Sequence, residues 1–324
     1  MNIWHGLDNV PAQLDASVVT IGVFDGIHSG HQTLLRRAAA LSGENGVPSV
    51  LVTFDPHPLA VVRPDKMPPL LGTVYDRAEI AAALNIDHLL ALRFDASLAH
   101  LSPEEFFTTV LVEKLGAKAV VVGENFTFGH KAAGTTDTLR ELGEKYGVEV
   151  AVLPLLNEAG LPISSTRIRG MLERGEIREA NAALTRPFAV QGEVVRGAGR
   201  GGRELGFPTA NLYFPPSQAL PGDGVYAGYF TVLDSTPSPG DMRCGVRYPA
   251  AISVGNNPTF EDPRRSVETF VLDREADLYG HQVRVEFVDF VRGMEKFNGI
   301  EDLLAAIRSD VAATRAIVSE PIDC

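Results

Sequence analysis

The chain has 324 residues, a length that favours two domains of ordinary size over one. Hydrophobic residues make up 45% and charged residues 22%, so both halves can bury cores, and a formal net charge of −12 argues against docking on nucleic acid while leaving room for a small phosphate site. The widely separated Cys244 and Cys324 suggest no disulfide framework or zinc knuckle. The N-terminus lacks a basic-then-apolar leader, and no apolar run approaches a membrane span, so the expectation is a cytoplasmic enzyme with no membrane partner.

From the N-terminus, short apolar runs alternate with helical spacing. Val18–Val23 reads as a buried strand, and Gln32–Ser42 follows with Leu34, Leu35, Ala38 and Leu41 at helical intervals. Ser49–Phe54 reads as a strand, Asp76–Leu84 as a helix and His88–Phe94 as a strand. Ser102-Pro103-Glu104-Glu105 has the form of a capping box with proline at the first helical position, opening a helix to Leu115. Ala119–Val122 predicts a strand, Thr136–Tyr146 a helix stopped by Gly147, and Val148–Leu153 a further strand. Such alternation predicts a parallel sheet with helices on both faces, which binds ligands beyond the C-terminal ends of its strands.

The character changes at Arg186-Pro187. Phe188–Val195, Val225–Leu233, Ala250–Val254, Val267–Leu272 and Val283–Phe290 read as strands separated by glycine- and proline-rich segments, Ser235–Gly240 among them as an exposed loop. Closely spaced strands with little helix predict a small antiparallel barrel or sandwich. A terminal amphipathic helix, with Ile300, Leu303, Leu304, Ile307 and Val311 on one face, is expected to pack against it.

Directly after the first predicted strand comes Gly22-Val-Phe24-Asp25-Gly-Ile-His28-Ser-Gly30-His31, and then a helix. Glycine lets backbone approach a ligand, and a helix N-terminus offers free N–H groups and a positive dipole end. Two imidazoles there can donate to phosphate oxygens as charge builds, without a covalent intermediate. A lone His-x-x-His reads equally as surface histidines on a loop, or as a zinc pair lacking its third ligand; the order of strand, glycines, histidines and helix is what selects the phosphate reading.

Ile163-Ser164-Ser165-Thr166-Arg167-Ile168-Arg169 adds a second segment. Ser165 or Thr166 can cap the following helix. Two arginines in its first turn oppose the helix dipole by roughly a few tenths of a kcal/mol, which a bound polyphosphate would offset. Gly129–Thr135 has P-loop spacing but lacks the lysine after the second glycine and is discarded.

In the second half, Gly197-Ala-Gly199-Arg-Gly201-Gly202-Arg203-Glu-Leu-Gly206-Phe207-Pro208-Thr209-Ala210-Asn211 is no dinucleotide fingerprint, because Pro208 stands where a helix should open. A glycine loop could fold over a nucleotide instead. Thr209 and Asn211, two apart, share a face in extended chain, and two neutral oxygens beside a phosphate suit Mg²⁺. Glu268 sits in a predicted strand, where a solvent-facing carboxylate is the plain alternative to a catalytic one.

The Gly22–His31 and Ile163–Arg169 stretches, with Thr53-Phe54-Asp55-Pro56-His57-Pro58 and Gly123–Gly129 between them, resemble the FMN adenylyltransferase module of bacterial FAD synthetases. The stretch ending Gly206-Phe207-Pro208-Thr209-Ala210-Asn211 resembles the riboflavin kinase motif, and the likeness continues through Gly224–Tyr226, Ser253–Phe260, Val267–Phe270 and Asp277–Gly280. The resemblance implies a Rossmann-like nucleotidyltransferase domain over 1–186 and a small β-barrel kinase domain with a C-terminal helix over 187–324. It implies that ATP and Mg²⁺ convert riboflavin to FMN and FMN to FAD. It would give the ATP phosphates to His28, His31 and Arg169, with Gly22, Phe24, Asp25, Ser164 and Thr166 beside them. Phe54, Pro56, Pro58, Asn125 and Phe128 would form the nucleotide and flavin pockets, although many members carry Asp in place of Asn125. Gly197, Arg203, Thr209 and Asn211 would contact MgATP, and Glu268 would activate the ribityl 5′-hydroxyl. The rival readings are an adenylyltransferase for another mononucleotide and a non-catalytic nucleotide-binding regulator; oligomeric state is not legible.

Overall fold

The computed structural model describes residues 1–12, 14–158, 161–196, 207–234, 240–256, 265–318 and 322–323. Gly197, Arg203 and most of the Ser235–Gly240 loop lie outside these residues, as does 257–260 of the motif that begins at Ser253. The chain divides into two compact units, Met1–Ser165 and Thr166–Cys324.

In chain order the first unit contains β1 (Asn2–His5), β2 (Ser17–Ile21), α1 (Ser29–Asn45), β3 (Ser49–Asp55), α2 (Pro58–Val62), α3 (Val74–Ala83), β4 (His88–Arg93), α4 (Ala96–Ala99), α5 (Pro103–Phe106), β5 (Ala117–Gly123), α6 (Thr136–Tyr146) and β6 (Glu149–Leu153), followed by a short β7–β8 hairpin (Asn157–Glu158, Leu161–Pro162). Six strands form one sheet in the order β1-β4-β3-β2-β5-β6, with every neighbouring pair parallel. The central strands are apolar at consecutive positions because both of their faces are covered. Val18 and Leu51 point into one core with Leu35 and Ala78. Val19, Val50 and Val52 point into the other with Phe107 and Leu139.

The Ser102 capping box forms as expected, with Glu105 N–H donating to Ser102 Oγ and Ser102 N–H donating to the Glu105 carboxylate. From Phe107 to Lys114 the helix continues in π form, which turns Phe107, Val110 and Leu111 into the core. The Gly129–Thr135 segment that mimics a P-loop folds back instead through a bridge between Phe128 and Gly134.

The chain runs from β2 outward through β3 to β4, then returns to place β5 on the other flank of β2. The C-terminal ends of β2 and β5 therefore stand where strand order reverses, the usual ligand position of such a sheet. Gly22–His31 follows one of these ends and Gly123–Asn125 the other.

Helix α7 (Ser165–Glu173) begins on the last residue of the first unit and continues into the second, which goes on with α8 (Ile177–Leu184), β9 (Phe188–Glu193), β10 (Ala210–Phe214), β11 (Gly224–Val232), β12 (Val246–Asn256), β13 (Arg265–Val271), β14 (Gln282–Arg292), α9 (Ile300–Ile317) and β15 (Ile322–Asp323). Antiparallel pairing follows the order β10-β13-β12-β11-β14-β9, with β15 added to β12. The open ends meet where Val195 bridges Asn211, its N–H donating to Asn211 O at 2.9 Å, and this makes a barrel rather than a sandwich. Helix α8 belongs to this unit. Its Asn181 side chain donates to Phe287 O at 2.8 Å and accepts from Phe188 N–H at 2.7 Å, pinning the helix to β14 and β9.

Helix α9 packs against β11, β12 and β14, as its pattern predicts, with Leu303, Leu304, Ile307 and Val311 partly buried. Ile300 is 62% exposed, whereas Asp310 and Thr314 are buried. A carboxylate can take a core position because Arg292 grips it with two bonds of 2.7 Å.

Candidate active sites

The turn after β2 is built around an unusual backbone. Phe24, Gly26 and Ile27 all have positive φ (52°, 78° and 35°), which costs a side-chain-bearing residue about 1–2 kcal/mol. A Cβ at Gly26 would also come within 2.7 Å of Leu71 Cδ1. Burial of the neighbours holds the turn in this shape. Phe24 is 1% exposed, and the buried Asp25 carboxylate accepts the Leu71 N–H through both oxygens at 3.0 and 3.1 Å. Asp25 O accepts the Ser165 hydroxyl at 2.8 Å. Helix α7 begins at Ser165, so Ser165 and Thr166 lie within its first turn, and the Ser165 hydroxyl ties down the histidine turn rather than the helix end.

His28 caps α1, its Nδ1 accepting the His31 N–H at 3.4 Å. With Nδ1 as acceptor, the neutral ring carries its proton on Nε2. The two imidazoles stack at 3.7 Å between centroids, and the Phe24 ring meets His31 edge-on at 5.0 Å. His31 Nδ1 is buried and has no hydrogen-bond partner among the described residues. Burial, followed by the nearby His28 and Arg77, holds His31 well below its ordinary 6.5, so it is neutral at pH 7. A helix N-terminus, two stacked imidazoles and an orphaned ring nitrogen form a cluster of donors suited to an anion that gains charge during reaction.

The remaining residues expected in this unit are more dispersed in role. Phe54 at the end of β3 is partly buried, edge-on to Phe94 at 5.6 Å. Pro56 follows a cis peptide bond, and Pro58 opens α2 beneath a cap from His57, whose Nδ1 accepts Leu59 N–H at 3.1 Å. Asn125 is exposed beyond β5. Phe128 is 7% exposed and stacked on Phe126 at 5.6 Å. Gly22 lies against the Phe24 ring, and Ser164 stands just before α7. Thr166 and Arg169 are carried by α7 in the second unit, Thr166 exposed and Arg169 partly buried.

In the barrel, register does the assembling. Asn211 on β10 pairs with Glu268 on β13, Glu268 with Ser253 on β12, Ser253 with Val225 on β11, and Val225 with Arg292 on β14. Directly paired residues share a sheet face, so Asn211, Glu268 and Ser253 form one row. Their chain neighbours Leu212, Val267 and Val254 turn the other way into the core. Glu268 is partly buried on the face away from the core, with Asn211 on one side and Ser253 on the other. Asn211 Nδ2 donates to Thr209 O at 3.0 Å and lies 3.5 Å from Thr209 Oγ1, which keeps the two side chains together. Ser253 Oγ lies 3.9 Å from Met294 Sδ.

Two charged residues escaped the sequence reading. Arg77 on α3 is 3% exposed beneath the histidine turn, and Arg292 ends the barrel row in a bidentate pair with Asp310. A helical arginine and a strand arginine look solvated in sequence; only their partners, 24 and 18 residues away, mark them as buried or held.

A parallel α/β sheet with a histidine-capped helix at its switch point, joined to a small antiparallel barrel with one carboxylate in a polar row, defines a two-unit nucleotide-handling transferase. The FAD synthetase family model matches residues 10–167 and the riboflavin kinase model residues 184–318. Proteins described as bifunctional riboflavin kinase/FMN adenylyltransferase are 35% identical in Listeria monocytogenes (94% of this chain, 93% of that protein), 34% in Pseudomonas fluorescens (98% of each) and 32% in Escherichia coli K12 (97% of each). The chain belongs to the bifunctional riboflavin kinase/FMN adenylyltransferase family. A crystal structure from Streptococcus pneumoniae described as a macrolide-efflux protein superposes with a TM-score of 0.84 at 31% identity, covering 97% of this chain and 99% of that one. Among the described residues of the present chain no helix is long and apolar enough to cross a membrane.

Proposed function

We propose that the two units divide one conversion: the barrel phosphorylates riboflavin to FMN, and the α/β unit adenylylates FMN to FAD, with ATP as co-substrate of both reactions. The observation that carries the kinase half is the register row, which sets the Glu268 carboxylate beside Asn211. Glu268 accepts the proton of the ribityl 5′-hydroxyl as its oxygen attacks the γ-phosphorus of ATP, and ADP leaves. A positioned general base is worth about 10²–10⁴ in rate. Thr209 and Asn211 offer neutral oxygens on one face, a donor set that fits Mg²⁺, which takes few protein ligands and keeps water and phosphate oxygens. Bound there, Mg²⁺ would neutralise charge on the nucleotide phosphates. Gly197 and Arg203 complete this nucleotide site on the same reading, with the kinase domain extending over 187–324.

In the α/β unit the FMN phosphate attacks the α-phosphorus of ATP and pyrophosphate leaves. His28 and His31 stabilise the charge that builds on the phosphate oxygens, and Arg169 neutralises the leaving pyrophosphate. Gly22, Phe24, Asp25, Ser164 and Thr166 shape the phosphate site, while Phe54, Pro56, Pro58, Asn125 and Phe128 border the nucleotide and flavin. The cytoplasm supplies the ATP, and an acidic chain has no call for a nucleic-acid partner.

The experiment is incubation of the purified chain with riboflavin and MgATP, with chromatographic separation of FMN and FAD. FMN should rise first and FAD follow. Replacing His28 and His31 by Ala should stop FAD formation and spare FMN formation. Glu268→Gln should cut FMN formation by about 10²-fold or more while externally supplied FMN still becomes FAD. Absence of both products from folded protein would refute the assignment.

A further inference from the structure

Arg77 stands out among the groups that the reaction scheme leaves unused. It is 97% buried, since only 3% of its surface is exposed, and an arginine is almost never that enclosed unless its charge is matched. Its Nη1 donates to Thr53 Oγ1 at 2.7 Å and to Phe54 O at 3.4 Å, and its Nε is buried with no hydrogen-bond partner among the described residues. Thr53 in turn donates to Val23 O at 2.8 Å. A chain of two hydrogen bonds therefore runs from Arg77 through Thr53 to the backbone of the strained histidine turn, at the residue just before Phe24. The carboxylates facing the guanidinium are Asp25 from the turn, Asp55 from the end of β3 and Asp76 from α3 itself, and the imidazoles facing the site are His28 and His31.

We propose that Arg77 is a positioning residue of the adenylyl-transfer site, bracing the histidine turn through Thr53 and setting a fixed positive charge behind the stacked imidazoles. Two observations point the same way. The turn holds two non-glycine residues at positive φ, so it needs bracing from outside its own sequence, and Arg77–Thr53–Val23 reaches its first residues. The charge is also felt at the site: Arg77 is one of the groups that depress His31, after burial and His28. A buried cation here does two things for a phosphate. It adds to the burial and the His28 neighbour that keep His31 neutral in the free enzyme, so its ring enters as a hydrogen-bond donor without an existing ion to desolvate. It also adds long-range attraction for a polyphosphate in a low-dielectric setting, where charges act strongly.

The inference rests on the assignment of His28 and His31 to adenylyl transfer, and the test separates the two. The full chain is used, with riboflavin phosphorylation as the internal control for intact protein. Arg77→Met should lower kcat for FAD formation from FMN at least tenfold, leave FMN formation from riboflavin within about twofold, and raise the His31 midpoint observed by imidazole NMR. The acid limb of the pH profile for FAD formation should move up with it. Arg77→Lys keeps the cation but not the two-acceptor geometry. Its His31 midpoint should stay at the parent value, with kcat between those of the parent and the Met variant. A merely structural arginine would lower the melting temperature without moving the His31 midpoint, and that result overturns the proposal. Should Arg77→Met fail to fold, Arg77→Lys decides alone: parent kcat and KM for both ATP and FMN overturn the positioning role. Loss of FAD formation in the Arg77 variants alongside full activity in His28→Ala/His31→Ala would leave the brace standing and overturn the histidine assignment instead.

Discussion

Replacing Asp310 by Asn should loosen the barrel at one identifiable joint. Asp310 is 6% exposed on α9, and both of its oxygens accept from Arg292 at 2.7 Å. Removing one partner of a fully buried ion pair costs about 3–5 kcal/mol, whereas exposed pairs are worth about 0–1 kcal/mol. This pair lies between these limits, because 22% of the Arg292 side chain remains in contact with solvent and the amide keeps one acceptor. About 2 kcal/mol is the expected loss. For a unit of this size each kcal/mol moves the melting temperature by about 2–4 °C, so the shift should be about 4–8 °C. Calorimetry on the parent and variant chains reads it directly. The functional consequence is a raised KM for riboflavin, since Arg292 stands at the end of the row that holds Glu268, with adenylyl transfer from supplied FMN unchanged. A variant that melts within 1 °C of the parent (about the precision of the scan) would refute the account of α9 as clamped by this pair.

Three further outcomes are expected. Because His31 is depressed in the folded chain, the unfolded chain binds its proton more readily below about 6.5; stability is therefore full above that pH and lost as pH falls through it, and His31→Gln should flatten this part of the melting-temperature profile. Gly228→Ala should abolish folding of the barrel, since a Cβ there would meet Glu286 O at 1.9 Å and Ile252 Cδ1 at 2.6 Å; recovery of soluble flavokinase at the parent level would contradict this. A fragment over 166–324 should retain flavokinase activity with greater thermal stability than one over 187–324, because the shorter piece loses the Asn181 bonds to Phe287 and Phe188; equal melting temperatures would show α8 to be dispensable.

Most of the α/β unit is legible because its signals are local. Val18, Val19 and Ile21 give the nearly continuous apolar run of a doubly covered strand, and Ser102–Glu105 carries both halves of its capping box. Strand β1 is not legible, for in Asn2–His5 only Trp4 is buried, too little for a pattern. The C-terminal helix was legible with most of its packed face, Leu303, Leu304, Ile307 and Val311, but Ile300 and the buried Asp310 were not. A hydrophobic tally places Ile300 inside and Asp310 outside, and the opposite holds because Arg292 arrives from β14 to neutralise the carboxylate. Arg77 fails for the same reason. In Tyr75-Asp76-Arg77 it looks like an ordinary charged helix residue, and only the fold brings Thr53 and Phe54 to it. The resemblance supplied the candidate residue sets of both sites, whereas the partners of Arg77 and Arg292 came from three-dimensional contacts.

The barrel row also determines what kinds of length change this chain can absorb. Asn211, Ser253, Val225, Glu268 and Arg292 come from five strands, and no two of them are adjacent in sequence. Lengthening the connection between β13 and β14 leaves each strand's parity untouched, so the row stays in line. One extra residue inside β13, upstream of Glu268, turns that carboxylate into the apolar interior and brings Val267 or Thr269 outward, because side chains alternate with a period of two. Insertions between strands thus leave the row in register, while a single residue added within one breaks it.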